Sequence, residues 1–210
     1  MKLDTPCRVY LIRHGEVTNS AQQCLNGHFD VELSQQGLEQ IRQVSAALED
    51  KSLRSVYSSD LRRSYVGACI VAEPHGCKPI AVPELKEISM GVWEGKTVTE
   101  INNQYPGELE KRLKNVETFY TEGGESFGQL RDRVIPKLME IVNTHRGESI
   151  AIVAHGGVNR IILSHALGIP PRNIFGIAQD FAAINIIRFY ETNAVVELIN
   201  GIATSKHAVK

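Results

Sequence analysis

Nothing in this 210-residue chain approaches the run of about 18 apolar residues that a membrane-spanning helix needs, so no association with a membrane is expected. The opening residues, Met1-Lys2-Leu3-Asp4-Thr5-Pro6, lack the apolar stretch of a signal peptide, and a cytoplasmic protein is expected. Cysteine is scarce. Cys7, Cys24, Cys69 and Cys77 form no C-x-x-C pair and sit in dissimilar surroundings, which argues against a zinc cage and against a disulfide framework. Neither sign of charge is in excess: 23 Lys plus Arg stand against 24 Asp plus Glu, a net charge of −1. A dedicated nucleic-acid binder would carry a basic surplus, so no nucleic-acid partner is expected. Repeats, low-complexity tracts and linkers are also missing. What remains, 42% hydrophobic and 22% charged residues, is the composition of an ordinary globular protein with one sizeable core, read as a single domain over 1–210.

Along the chain, short apolar runs alternate with helical periodicity. Val9-Tyr10-Leu11-Ile12 reads as a buried parallel strand that ends at Arg13-His14-Gly15. Ser34 is a candidate N-cap for a helix whose apolar positions are Leu38, Ile41, Val44 and Leu48. Ser55 to Ser58 predicts a second strand. Ser59-Asp60 is the expected cap of a helix from about Leu61 to Glu73, and Ile80-Ala81-Val82 is a third strand. Between Val98 and Leu113 a helical spacing is broken at Pro106-Gly107, which predicts two short helices forming a cap over about 96–125. A longer helix follows, with Phe127, Leu130, Val134, Leu138 and Ile141 on one face. Ser149 to Ala154 is the clearest strand and ends at His155-Gly156-Gly157. A helix from about Val158 to Leu167 and a hairpin of Ile184–Tyr190 with Val195–Ile199 complete the pattern. The alternation predicts an α/β fold around a mostly parallel sheet, with a small helical cap.

Two strands far apart in sequence therefore each end in His-Gly, at His14-Gly15 and His155-Gly156. If the strands are neighbours, both imidazoles reach one crevice at the carboxyl edge of the sheet, where open α/β sheets bind ligands. Glycine beyond each histidine lets backbone approach an anion, and Arg13 with Arg62-Arg63 offers guanidinium forks that match phosphate oxygens.

Read together, these segments resemble the histidine phosphatase superfamily, in its phosphoglycerate mutase-like branch, which implies a three-layer α/β/α sandwich with a mostly parallel central sheet and a small helical cap. Leu11-Ile12-Arg13-His14-Gly15-Glu16 resembles the family's R-H-G-E signature, which implies that His14 is the phosphorylated nucleophile. Gly27-His28-Phe29-Asp30 with Leu33-Ser34 and Gly37 resembles the segment that follows. Ser59-Asp60-Leu61-Arg62-Arg63 resembles S-x-L-x-R and selects Arg63 as the phosphate-binding arginine. Leu85-Lys86-Glu87 with Gly91-Val92-Trp93-Glu94-Gly95 resembles L-x-E-x-x-x-G-x-W-E-G, which makes Glu87 the proton donor and Glu94 a structural position. Ala154-His155-Gly156-Gly157 resembles the second-histidine motif. The catalytic set implied is His14, Glu87, His155, Arg13 and Arg63. Asn19, Asn26, Gly27 and Gly156 are implied as substrate-binding positions. The family often places Asn six residues after the nucleophile, whereas here Asn19 is five after His14 and Ser20 is six.

The chemistry implied is attack on phosphorus by a neutral imidazole, stabilisation of the transferring group by Arg13, Arg63 and His155, and protonation of the leaving oxygen by Glu87. That scheme calls for no metal and no cofactor. The segment from Gly95 to His155 is shorter than in the dedicated mutases, and an open cap admits water. A phosphomonoesterase of the histidine acid phosphatase type, acting on a small phosphorylated metabolite, is therefore expected, with the α-ribazole phosphatases of cobalamin biosynthesis or broad-specificity phosphatases as the nearest pattern. The alternatives are a phosphoglycerate mutase-type transfer and a non-catalytic binder of phosphorylated ligands or proteins. The binder is disfavoured because it could dispense with Glu87. A zinc hydrolase suggested by His14-x-Glu16 lacks the P-C-x-x-C and H-E-x-x-H partners it would need. Lys111, Arg112 and Lys114 could reach a substrate carboxylate or phosphate, but a solvated helix face is the preferred reading. The resemblance is compatible with a homodimer, for which the sequence offers only the C-terminal strands as an interface.

Overall fold

A computed structural model of the chain describes residues 5–204. β1 (Cys7–Arg13) runs through the middle of a six-stranded sheet of order β3-β2-β4-β1-β5-β6. β2 (Leu53–Ser58), β3 (Ile80–Ala81) and β4 (Ser149–Ala154) are parallel to β1; β5 (Ile184–Phe189) and β6 (Ala194–Gly201) form an antiparallel hairpin at one edge. The period-two alternation of a strand explains why residues 9–12 of β1 can be apolar on both faces. Val9 and Leu11 enter one core with Leu130, Leu138 and Ile162, whereas Tyr10 and Ile12 enter the other with Ile41, Val44 and Val71. Helices α5 (Phe127–Thr144) and α6 (Gly156–Leu167) supply the first of these cores, and α1 (Gln35–Leu48) and α2 (Arg62–Ala72) the second. The α/β/α sandwich that the resemblance implies is the architecture found. Among the described residues no helix is long and apolar enough to cross a membrane.

Local signals at the helix starts mostly act as read. Ser34 caps α1, accepting from Gly37 N–H at 3.0 Å, and Ser126 caps α5 in a reciprocal box with Gln129. The start of α2 differs. Asp60 does not cap it but pairs with Lys86 at 3.1 Å, and the Arg62 N–H is taken by Asp30 from a separate loop at 2.9 Å. The carboxylate at the free N–H end of α2 is thus supplied by tertiary structure. Helix α6 begins at Gly156, earlier than Val158, because His155 is already its N-cap. Helices α3 (Val98–Gln104) and α4 (Glu108–Lys114) occupy the segment expected to form the cap, divided as expected at Pro106-Gly107.

The turn after β1 is fixed by backbone packing. A Cβ on Gly15 would overlap the carbonyl of Gly37, and one on Gly37 would overlap the carbonyl of Glu16. The start of α1 and the turn that follows His14 therefore press backbone to backbone. Glu16 completes the join: its carboxylate accepts from Ser34 Oγ at 2.9 Å and its N–H donates to Gln40 at 2.9 Å.

Candidate active site

Strand register explains the central pairing of the site. Arg13 faces Ala154 across β1 and β4, so the next residue of each strand, His14 and His155, emerges side by side at the carboxyl edge. Their ring centroids are 5.2 Å apart in an edge-on arrangement, and both are buried. β2, the next strand over, ends at Ser58 and delivers Ser59, which meets His155 Nε2 at 2.7 Å.

Hydrogen bonding distinguishes the two imidazoles. His14 Nδ1 donates to the Gly15 carbonyl at 2.8 Å, so Nε2 is left with a free lone pair. The oxygen of Ser59 also accepts from Leu61 N–H at 3.3 Å and keeps both a lone pair and its proton for His155 Nε2. His155 Nδ1 is a buried atom without a partner among the described residues. Both rings are held neutral. Burial pushes the pKa of each well below the ordinary imidazole value of 6.5, and the Arg63 and Arg13 charges add to it.

The two guanidinium groups are locked by backbone carbonyls. Arg63 is 2% exposed and donates to Phe29 O at 2.9 Å and Gly27 O at 2.6 Å, while Arg62 points outward to Glu32. Gly27 holds the Arg63 acceptor with φ of +40°, and a Cβ there would overlap Glu94. Arg13 donates to Gln179 O at 2.6 Å and stacks 4.0 Å from the centre of the Phe181 ring. Burial lowers the Arg13 pKa to about 10, partly offset by the charge of Glu87, and the group stays cationic at neutral pH.

Glu87 reaches the same place from the loop after β3. One of its oxygens accepts from Gly157 N–H at the start of α6 and the other from its neighbour Ile88 N–H, both at 2.9 Å. Its backbone is pinned as well: the Glu87 carbonyl accepts from His28 Nε2 at 2.8 Å and from Arg133 at 2.9 Å. Arg133 also binds the carbonyls of Glu84 and Lys86 and pairs with Glu125 at 2.7 Å. Glu94, by contrast, spends both oxygens on the N–H groups of His28, Phe29 and Met90, the structural position expected of it.

These residues surround a cavity of about 410 Å³ lined by Arg13, His14, Asn26, Gly27, Arg63 and Glu87. His155 lies behind His14 and is fully buried. Of the remaining sequence candidates, Gly156 lines an adjoining cavity of about 370 Å³. Asn19 stands back from the first cavity, its amide in a reciprocal pair with that of Asn26 at 2.7 and 2.9 Å, while Ser20 reaches the wall. Through that reciprocal pair Asn19 orients the Asn26 amide. Sequence reading missed Phe181, Gln179 and Arg133, whose contacts come from segments distant in the chain and leave no local pattern. Arg112 was misread: it is 8% exposed, not solvated. Among the described residues no group of three or more His, Cys, Asp or Glu side chains is placed to hold a metal ion.

Known proteins resemble the chain at three levels. A family model described as the histidine phosphatase superfamily (branch 1) matches residues 9–201. The chain is 26% identical over 193 residues to Phosphoserine phosphatase 1 of Hydrogenobacter thermophilus, covering 92% of each protein. It is 31% identical over 163 residues to the probable phosphoglycerate mutase GpmB of Enterobacter sp. (strain 638), covering 78% of this chain and 76% of that protein. Among solved structures, the α-ribazole phosphatase of Shigella flexneri superposes with a TM-score of 0.85 at 24% identity, over 92% of this chain and 96% of the other.

Proposed function

The chain belongs to the histidine phosphatase superfamily and has its phosphoglycerate mutase-like fold, and from that premise we propose that it is a metal-independent phosphomonoesterase working through a phosphohistidine at His14. The observation that carries the reading is the state of His14: a neutral ring, tied at Nδ1, with Nε2 free beside two buried guanidinium groups and one carboxylate. His14 Nε2 attacks phosphorus as the bond to the ester oxygen breaks, and Glu87 gives that oxygen a proton. Water then attacks the phosphohistidine, Glu87 takes its proton, and inorganic phosphate leaves with His14 restored. Charge on the transferring group spreads over its equatorial oxygens, where Arg13 and Arg63 meet it, while the buried His155 acts from behind His14. Asn26 and the Gly27 backbone complete the wall, and the segment 96–125 serves as the cap over the leaving group.

Release to water is favoured over mutase-type return because the cap leaves its own lining exposed. Leu113 and Val98, both on the wall next to Glu87, are 63% and 38% exposed, so solvent reaches the leaving-group side. The likeness to the Shigella flexneri enzyme concerns fold alone, and α-ribazole phosphate enters as one ester to be tested. The proposal places the enzyme in the cytoplasm, where a reduced thiol such as buried Cys7 persists. The test is incubation with a panel of phosphomonoesters in EDTA, following free phosphate and isomerised product together. Phosphate release that survives the chelator and falls by at least about 10³-fold in His14→Ala is expected. Isomerisation without release would make the protein a mutase, and neither product from the folded protein would make it a phospho-ligand binder.

A further inference from the structure

Beyond Glu87 lies the second cavity, of about 370 Å³, between α4, α6 and the cap side of α5. Arg13 and Glu87 belong to the walls of both cavities and mark the border between them. A phosphoryl group held by His14, Arg13 and Arg63 would have its leaving oxygen at Glu87, so the second cavity is where the alcohol part of the substrate extends.

Positive charge exceeds negative on the wall of that cavity, with Asp180 acting on Arg13 and Arg160 from outside it. Arg13, Arg112 and Arg160 line it against the single carboxylate of Glu87, whose two oxygens already accept backbone N–H groups. Arg160 donates to the Ile177 carbonyl at 2.9 Å. Arg112 makes no hydrogen bond or ion pair to any described residue, although it is more than nine-tenths buried. Its guanidinium carbon lies 5.4 Å from the Phe127 ring centre and 6.0 Å from that of Trp93, which hold the side chain by packing. Neither acid of its own helix, Glu108 or Glu110, forms an ion pair with it, and Glu110 is engaged with Lys114 at 2.7 Å. Burial lowers the Arg112 pKa, opposed by the charge of Glu87. A buried cation left unpaired is costly, and its cost is offset when a bound anion takes the open donors.

We propose that Arg112, with Arg160 beside it, is a specificity-determining residue that binds a second anionic group, a carboxylate or a phosphate, carried on the alcohol part of the substrate. This rests on the phosphoryl-transfer reading for its orientation, since Glu87 defines which end of the ester enters the second cavity. The planar fork of Arg112 suits either anion.

Three esters separate the cases: 3-phosphoglycerate, glycerol 1,3-bisphosphate, and glycerol 3-phosphate, which replaces the carboxylate of the first with a neutral CH2OH. In the wild-type protein kcat/KM for at least one of the two anion-bearing esters should exceed that for glycerol 3-phosphate by about 10- to 100-fold, the worth of a hydrogen bond to a charged group. Which of the two is preferred tells carboxylate from phosphate. Arg112→Met keeps the packing against Phe127 and Trp93 and should bring the ratio close to one, mainly through KM. Arg112→Lys should retain part of the preference. Equal kcat/KM for all three esters in the wild-type protein, or equal losses on all three in Arg112→Met, would overturn the subsite. Calorimetric titration of His14→Ala with the same esters reads the subsite without turnover. Absent phosphate release together with tighter binding of an anion-bearing ester, lost in Arg112→Met, would overturn the phosphohistidine reading and leave the subsite standing. Equal Kd values would overturn the subsite whatever the turnover.

Discussion

Glu87 is held by two backbone N–H groups with its loop anchored by Arg133, which fixes a carboxyl group against the cavity that His14 lines. If it protonates the leaving oxygen, its importance scales with how much that oxygen needs a proton. Glu87→Gln is expected to slow alkyl phosphates by about 10² to 10⁴-fold and p-nitrophenyl phosphate by less than about tenfold, since nitrophenolate leaves unaided. Equal losses on the two would remove Glu87 as the acid. At this scale the family resemblance in the sequence located the central residues: His14, His155, Arg13, Arg63 and Glu87 converge, and Arg63 rather than Arg62 faces inward. Arg112 was legible only as one of three basic residues that could reach a substrate anion, with a solvated face preferred. It lies three residues after Leu109, on the same face of α4, but a charged residue in a polar helix is normally solvated and only the tertiary contact with Phe127 reveals its burial.

Helix α6 positions more than His155. Its first turn offers the Gly157 N–H to Glu87, and a Cβ on Gly157 would overlap the Glu87 carboxylate. Gly157→Ala should displace that carboxylate and so reproduce the leaving-group pattern of Glu87→Gln, with alkyl esters losing at least tenfold more than p-nitrophenyl phosphate. Unchanged discrimination, in a variant that melts like the parent, would show that the contact does not position the acid. The elements themselves were readable because their signals are local: apolar runs for β1 and β4, Ser34 and Ser126 as caps, Pro106-Gly107 as a break. The cap of α2 was not, because Asp30 reaches it from across the fold.

Over the whole molecule, sheet order turns two distant His-Gly segments into one site, and the same burial gives folding a dependence on acid. His14 and His155 have pKa values well below 6.5 in the folded protein, so the unfolded chain binds more protons as pH falls through the ordinary imidazole range. Stability from these groups is fully present above about pH 6.5 and declines below it. The urea midpoint should fall between about pH 7.5 and about pH 5.5, and His155→Gln should flatten that slope. A midpoint that rises over this interval would contradict the buried neutral state of the pair. The central claim, a phosphoryl group carried by His14, is tested most directly by acid-sparing quench of the protein mixed with a radiolabelled phosphomonoester in EDTA, followed by mapping of the label. An acid-labile, alkali-stable phosphoprotein labelled at His14 and absent from His14→Ala is expected. Turnover with label elsewhere, or label that persists in His14→Ala, would contradict it.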